Sequence, residues 1–332
     1  MKRVGISGLT GMIGKNLIAQ YTCEPQIRKT LKLVAFTRKQ SDTTFLEQSG
    51  IEYRRIDYTD RESFAGKLED IDAFLHLAGL TKAVSPSGYY RVNVDGTACL
   101  LDALTQYGKA LEHFLFISST AAAGPSDTPE QLKTEEQPCT PVSHYGRSKL
   151  KAEELVRRCP FAWTIIRLPL VFGPHDRDML TMFRFAKSGR VALFADPRDP
   201  YSYMSAPDAG RFFLQAIGNK RLFRNVFNYC YDTFMSGREF FPMVRGQLGL
   251  PERCRYFRVP RWVAYPARFL LDVRQRVAGR TTIVNPDKIA ELAVFHWIFS
   301  NEKIKTALGV QTINNERAVA ETVQWYQDHH LL

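Results

Sequence analysis

Three glycines stand three residues apart in Gly8-Leu9-Thr10-Gly11-Met12-Ile13-Gly14, directly after an apolar run over residues 2–7 (KRVGIS) and directly before a helix-forming stretch, GKNLIAQY. Little else in the chain constrains the fold so strongly. The backbone must turn tightly at the end of a strand, come close to whatever lies above the turn without a Cβ in the way, and pack a helix against that strand. The amides that open such a helix face outward and suit a phosphate. A strand–turn–helix unit that cradles the pyrophosphate of a dinucleotide is therefore expected, with Gly8, Thr10, Gly11, Met12, Ile13 and Gly14 as its contacts. The spacing is G-x-x-G-x-x-G, not the commoner G-x-G-x-x-G.

The pattern then repeats. Runs rich in strand formers stand at 31–36 (LKLVAF), 51–56 (IEYRRI), 73–78 (AFLHLA), 113–119 (HFLFISS) and 162–173 (AWTIIRLPLVFG), with helical stretches between them, the clearest being YYRVNVDGTACLLDALTQYG. Strands alternating with helices of this length build βαβ units and a parallel sheet. The expected class is α/β, a Rossmann doubly wound parallel sheet over residues 1–173 with a later strand returning from about 200–230. After Gly173 aromatics, prolines and arginines replace the alternation, so 174–332 is expected to be mainly a smaller substrate-binding lobe.

Composition narrows the function. The chain of 332 residues is 45% apolar and 24% charged, an ordinary globular balance. It lacks an apolar run long enough to span a bilayer, and its N-terminus lacks the apolar core of a secretory signal. Six scattered cysteines without a C-x-x-C pair read as reduced thiols and a cytoplasmic setting, and no metal site is expected. The net charge of +11 is concentrated: residues 253–280 carry eight arginines and one aspartate. A basic segment, rather than a basic protein, argues against nucleic acid as the partner.

The end of the second strand selects the nucleotide. It reads Phe36-Thr37-Arg38-Lys39, with no acid before Asp42. Paired cations there suit the 2′-phosphate of NADP, with NAD as the alternative cofactor; two solvated basic residues are the plain reading. Asp57 closes the third strand, where a carboxylate either holds the adenine amino group or caps a loop.

The ordered pieces GLTGMIG (8–14), HLAG (76–79), NVDGT (93–97), ISST (117–120), YGRSK (145–149) and RLPLVFGP (167–174) together resemble the extended short-chain dehydrogenase/reductase family, the NAD-dependent epimerase/dehydratase-like group. The resemblance implies a catalytic set of Ser119, Tyr145 and Lys149 supported by Asn93. It also implies cofactor contacts at Leu77, Ala78, Gly79, Tyr145, Lys149 and Pro169. The chemistry is coherent: a hydride moves to or from a carbinol carbon while a phenol handles the proton. A free phenol titrates near 10, so Lys149, one helical turn on, is expected to favour the phenolate. Ser119 orients the substrate oxygen; Ser118 and Thr120 beside it are left with core or capping roles.

Two departures bear on the substrate. Nucleotide-sugar members of the family carry an asparagine where Leu170 stands and an arginine where Tyr201 stands, Arg198 being three residues earlier. An apolar wall of Leu170, Val171 and Phe172, or simple core packing, takes their place. The distal part resembles 3β-hydroxysteroid and sterol dehydrogenase-like members. Its segment 253–280, with Tyr256, Phe257, Trp262, Tyr265 and Phe269 among arginines, reads as a lid or as a peripheral membrane contact. The expected function is an NADP(H)-dependent oxidoreductase that interconverts a secondary alcohol and a ketone on a steroid-, lipid- or polyphenol-like substrate. The alternatives are a nucleotide-sugar epimerase or dehydratase and a non-catalytic NADP-sensing protein. A homodimer is expected by analogy alone.

Overall fold

In the computed structural model, which describes residues 1–128, 130–193, 196–258, 286–292, 294, 296–309 and 315–332, the apolar runs of the first half form one seven-stranded parallel sheet. Its strands are β1 (Lys2–Ser7), β2 (Leu31–Arg38), β3 (Glu52–Ile56), β4 (Ala73–His76), β5 (His113–Ser119), β6 (Ala162–Leu168) and, after four short strands, β11 (Asn225–Asn228). The order is β11-β6-β5-β4-β1-β2-β3. The chain thus winds one way from β1 to β3 and the other way from β4 to β11, and the crevice beyond the carboxyl end of β1 is the switch point where such sheets hold ligands. Apart from the half-exposed edge strand β3, the strands β1 to β6 are mostly buried on both faces, as a doubly covered parallel sheet requires.

The covering helices are α1 (Met12–Cys23), α2 (Pro25–Thr30), α3 (Thr44–Gln48), α4 (Pro86–Tyr90), α5 (Gly96–Tyr107), α6 (Thr120–Ala123), α7 (His144–Arg158), α8 (Leu180–Ser188), α9 (Ala206–Ala216) and α10 (Gly237–Gln247). Three more follow: α11 (Pro286–Leu292), α12 (Glu302–Leu308) and α13 (Asn315–Asp328). One core joins Leu17 and Ile18 of α1 to Phe212 and Phe213 of α9 on one face of the sheet. The other joins Leu100 and Leu104 of α5 to Ala152 and Val156 of α7, over Phe74, Phe114 and Phe116. Gly210 lets α9 lie against the backbone of α1: a Cβ there would stand 2.8 Å from the Leu17 Cα.

Two elements depart from the sequence expectation. The run over 162–173 is not one strand: β6 ends at Leu168, and Leu170–Phe172 forms a separate short strand, β7, because Pro169 has no amide to give the ladder. The helical stretch before β5 is broken by a wide π-type turn over Arg91–Asp95, which joins α4 to α5 and puts Asn93 inside.

The remaining strands are short pairs. β7 lies parallel to β10 (Tyr203–Ser205), β9 (Pro200–Tyr201) runs antiparallel to β12 (Met235–Ser236), and β8 (Arg190–Leu193) lies beside β13 (Arg255–Arg258). Among the described residues no helix is long and apolar enough to cross a membrane. Most of the basic segment 253–280, from residue 259 on, lies outside the described residues, so its reading as lid or membrane contact finds no structural observation.

Candidate active site

The glycine turn is built as its composition demands. Gly8 has φ +82°, the left-handed region, and a Cβ on it would stand 2.7 Å from the Ala78 amide. The Gly11 amide closes the turn on the Gly8 carbonyl at 3.0 Å. Gly14 has no room for a side chain: its Cβ would lie 2.5 Å from the Leu9 carbonyl oxygen. Gly11, the residue that caps α1, is exposed and offers no side chain to the first-turn amides. Thr10, Met12 and Ile13 are half-buried beside it. A helix opening of this kind, uncapped and bare of Cβ atoms, fits the pyrophosphate of a dinucleotide.

At the adenosine end, Arg38 and Lys39 are both exposed where β2 finishes. Asp57 is exposed too, but its carboxylate accepts the Thr59 amide (2.9 Å) and the Thr59 hydroxyl (2.7 Å). Those two bonds, with Lys39 adding less, hold it below the ordinary aspartate range. Of the two roles open in the sequence, the chain's own contacts give Asp57 the loop cap. After β4, the amides of Leu77 and Ala78 bond to the carbonyl and hydroxyl of Ser7, which ties this loop to the glycine turn. Gly79 is exposed next to Asn93 and Lys149: a Cβ on it would lie 3.5 Å from Asn93 Oδ1 and 3.8 Å from Lys149 Nζ.

Why Tyr145 and Lys149 stand there follows from α7. Ser143 caps the helix, accepting the Gly146 amide at 2.9 Å. A side chain on Gly146 would collide with the Ala121 carbonyl, so glycine lets α7 press onto α6 just beyond the end of β5. That close approach brings the Tyr145 hydroxyl near Ser119, whose hydroxyl acts on the phenol's acidity and also accepts the Ala121 amide at 3.1 Å. Of the three adjacent hydroxyls, Ser118 instead donates to Glu153 (2.6 Å), and Thr120 is buried in α6. Asn93 ties the loop to the helix. Its Oδ1 accepts the Leu80 amide (2.7 Å), and its Nδ2 donates to Leu80 O (3.1 Å) and Ser148 Oγ (2.9 Å).

Lys149 is 4% exposed. Its ammonium donates to the Ile117 carbonyl at 2.7 Å and sits 4.2 Å from the Phe116 ring centre. Burial drives its pKa down to about 7, with Glu153 opposing. The phenol of Tyr145 is pushed up to about 12, first by burial; the Ser119 hydroxyl pulls the other way and Glu291 adds to the rise. Burial dominates the Tyr145 phenol, which holds its proton at neutral pH, so the lowering expected from Lys149 is not what sets its acidity.

Several contributors had no local signal in the sequence. Glu153 and Arg167 form a buried bidentate pair behind Lys149 (2.9 and 2.7 Å). Asp287 and Glu291, from α11, reach the first turn of α7. Residues so distant in sequence meet only through the fold. On the substrate side, Ser119 is paired in register with Leu168, so Pro169 (half-buried) and Leu170 (39% exposed) continue past the sheet edge beside it. Phe172 does not join that wall. It is fully buried, stacked on Tyr203 at 5.9 Å and packed against Phe183, which closes over it where β7 meets the core. Tyr201 is half-buried, and the exposed Arg198 is held by Asp196 at 2.7 Å. Among the described residues no cluster could hold a metal ion.

The family model described as the NAD dependent epimerase/dehydratase family matches residues 4–229. A ceramide reductase of Caulobacter vibrioides is 28% identical over 191 residues, 57% of this chain and 52% of that protein. The sterol demethylase protein B of Methylococcus capsulatus is 28% identical over 198 residues, 57% of this chain and 55% of that protein. The chain thus matches about half the length of each of these relatives. A UDP-glucose 4-epimerase of Thermotoga maritima, solved with UDP-glucose, superimposes with a TM-score of 0.75 at 19% identity, over 99% of both chains.

Proposed function

Because the chain belongs to the NAD-dependent epimerase/dehydratase family and is an NAD(P)-dependent enzyme of the extended short-chain dehydrogenase/reductase type, we propose that it reduces a ketone to a secondary alcohol on a largely apolar substrate, with NADPH as hydride source. The observation that carries this reading is the Ser119–Tyr145 hydroxyl pair at the carboxyl edge of β5, with Lys149 buried one helical turn below. A phenol pushed up to about 12 holds its proton at neutral pH, which suits a proton donor better than a base.

Gly8, Gly11 and Gly14 with the opening of α1 would hold the pyrophosphate, Arg38 and Lys39 the 2′-phosphate, and Gly79 and Pro169 would border the nicotinamide end. The bound nicotinamide supplies the hydride that the carbonyl carbon takes up. Ser119 donates a hydrogen bond to the carbonyl oxygen and orients it, and Tyr145 delivers the proton that completes the hydroxyl. Lys149, with its pKa near neutrality, stabilises the phenolate left behind. Asn93 keeps the loop after β4 and the helix of Tyr145 in register through Leu80 and Ser148.

The apolar substrate rests on the exposed Leu170 beside the site, and the kinship with a ceramide reductase and a sterol demethylase protein supports it. The family description and the 4-epimerase fold favour a second reading, a nucleotide-sugar epimerase with tightly held NAD(P). NADPH oxidation with a panel of hydrophobic ketones, run beside sugar nucleotides, separates the two. Turnover of sugar nucleotides alone, without net NADPH loss, rejects the reductase. Tyr145→Phe should lower kcat at least 100-fold, within the roughly 10²–10⁴ that positioned proton transfer contributes; unchanged activity would remove Tyr145 as the proton donor, and no turnover of any substrate by the wild type would favour the sensor. The substrate-lobe assignment of 174–332, a cytoplasmic setting suggested by six free cysteines, and a homodimer belong to this same proposal.

A further inference from the structure

The first turn of α7 carries backbone amides that the helix itself cannot satisfy. The amide of His144 donates to Asp287 Oδ1 and that of Tyr145 to Asp287 Oδ2, both at 2.8 Å. Beside them the capping hydroxyl of Ser143 donates to Glu291 Oε1 at 2.7 Å. Both acids come from α11, one helical turn apart, so a single face of that short helix grips three consecutive residues of the Tyr145 helix. Trp297 Nε1 holds the Glu291 carbonyl at 3.1 Å and anchors the far end of α11. The contact is a docked carboxylate at a helix N-terminus, where negative charge is favoured.

We infer that Asp287 and Glu291 are positioning residues: α11 clamps the start of α7 and thereby sets both the place and the charge surroundings of the Tyr145 phenol. The inference rests on the reading of Tyr145 as proton donor. One carboxylate oxygen on each of two successive amides leaves the Tyr145 backbone little freedom, and a phenol that must meet a carbonyl oxygen tolerates little error in position. The charge of the clamp matters as well. Ser119 and Glu291 act on the phenol and Tyr89 of α4 lies beside it (ring centres 6.1 Å apart); the other charged or titratable groups on the packed helices are His144, whose ring faces Tyr90, and Lys149 on α7, and Asp287 and Lys288 on α11. Lys288 pairs with the second oxygen of Glu291 at 2.9 Å and offsets part of its charge. Glu291 raises the pKa of Tyr145, so the clamp favours the protonated phenol.

The test uses the full chain with Asp287→Asn and Glu291→Gln, each compared with wild type and Tyr145→Phe. An asparagine presents one acceptor and an N–H₂ to two amides, so one of the paired bonds is lost while the side-chain size is kept. Hydrogen exchange at the amides of residues 144–146 should quicken at least tenfold in Asp287→Asn while the rest of α7 stays protected. In the reductase assay kcat should fall about tenfold and KM change less than about twofold, as for a group acting on the transition state. In Glu291→Gln, the phenolate absorbance that Tyr145→Phe removes should titrate at lower pH than in wild type. Unchanged amide exchange in the first and an unmoved titration in the second would overturn the clamp. If Asp287→Asn fails to fold, the Glu291→Gln titration decides alone. If Tyr145→Phe keeps full activity, the proton-donor reading falls, while exchange and titration still judge the contact itself.

Discussion

Replacing Lys149 by methionine should make the protein more stable at pH 6 while removing its activity. Lys149 is 4% exposed, and burial lowers its pKa from an ordinary 10.5 to about 7. In the unfolded chain the amine takes up its proton as the pH falls through 10.5, whereas the folded form does so only near 7. Between those values the unfolded state binds more protons, so wild-type stability declines as the pH is lowered, and the loss is complete below about 7. The gap corresponds to ~5 kcal/mol at pH 6, at roughly 1.36 kcal/mol per pH unit, and to ~2 kcal/mol at pH 9. Methionine keeps the length and the packing against Phe116 but leaves the Ile117 carbonyl without its 2.7 Å donor, a loss of about 1–3 kcal/mol. The variant should therefore gain ~2–4 kcal/mol at pH 6 and lie within about 1 kcal/mol of wild type at pH 9. In a chain of this size that is a rise in Tm of roughly 3–6 °C at the lower pH. Urea denaturation of both proteins across pH 6 to 9 measures the difference. A Lys149→Met advantage that is independent of pH, or largest at pH 9, would refute the claim that burial, rather than pairing, governs this amine.

Other outcomes follow from the same geometry. Glu153→Ala leaves Arg167, 1% exposed, as an uncompensated buried charge, and should cost about 3–5 kcal/mol in urea denaturation. Gly14→Ala places a methyl 2.5 Å from the Leu9 carbonyl oxygen; a backbone shift of this kind costs about 1–3 kcal/mol, and dinucleotide affinity measured by calorimetry should fall with it. Neutralising Arg38 and Lys39 together should raise the Kd of NADP about tenfold, one charge-assisted contact's worth, and leave that of NAD within about twofold; equal losses would remove the argument for NADP.

The division between what was legible in advance and what was not falls along a physical line. Repeating strand and helix periods, a glycine turn and a tyrosine–lysine pair one helical turn apart are properties of short stretches. The α/β class and the parallel sheet could therefore be read from β1 to β6 directly, as could the crevice position of Gly8 to Gly14. Pro169 carries its own instruction, a missing amide, which divides the run over 162–173 into β6 and β7. Ionisation is different. The proton on Tyr145 and the weakened basicity of Lys149 arise from burial among groups distant in sequence, with Glu291 adding to the first and Glu153 opposing the second. Phe172 shows the same limit: whether a phenylalanine lines a cleft or fills a core depends on which distant side chains, here Phe183 and Tyr203, pack against it. Spacing along the chain determined that a phenol and an amine would share one helix face. Only the tertiary structure decided their charge, because desolvation and long-range carboxylates act through distance in space, and residues some 140 positions apart in the chain stand within a hydrogen bond of each other.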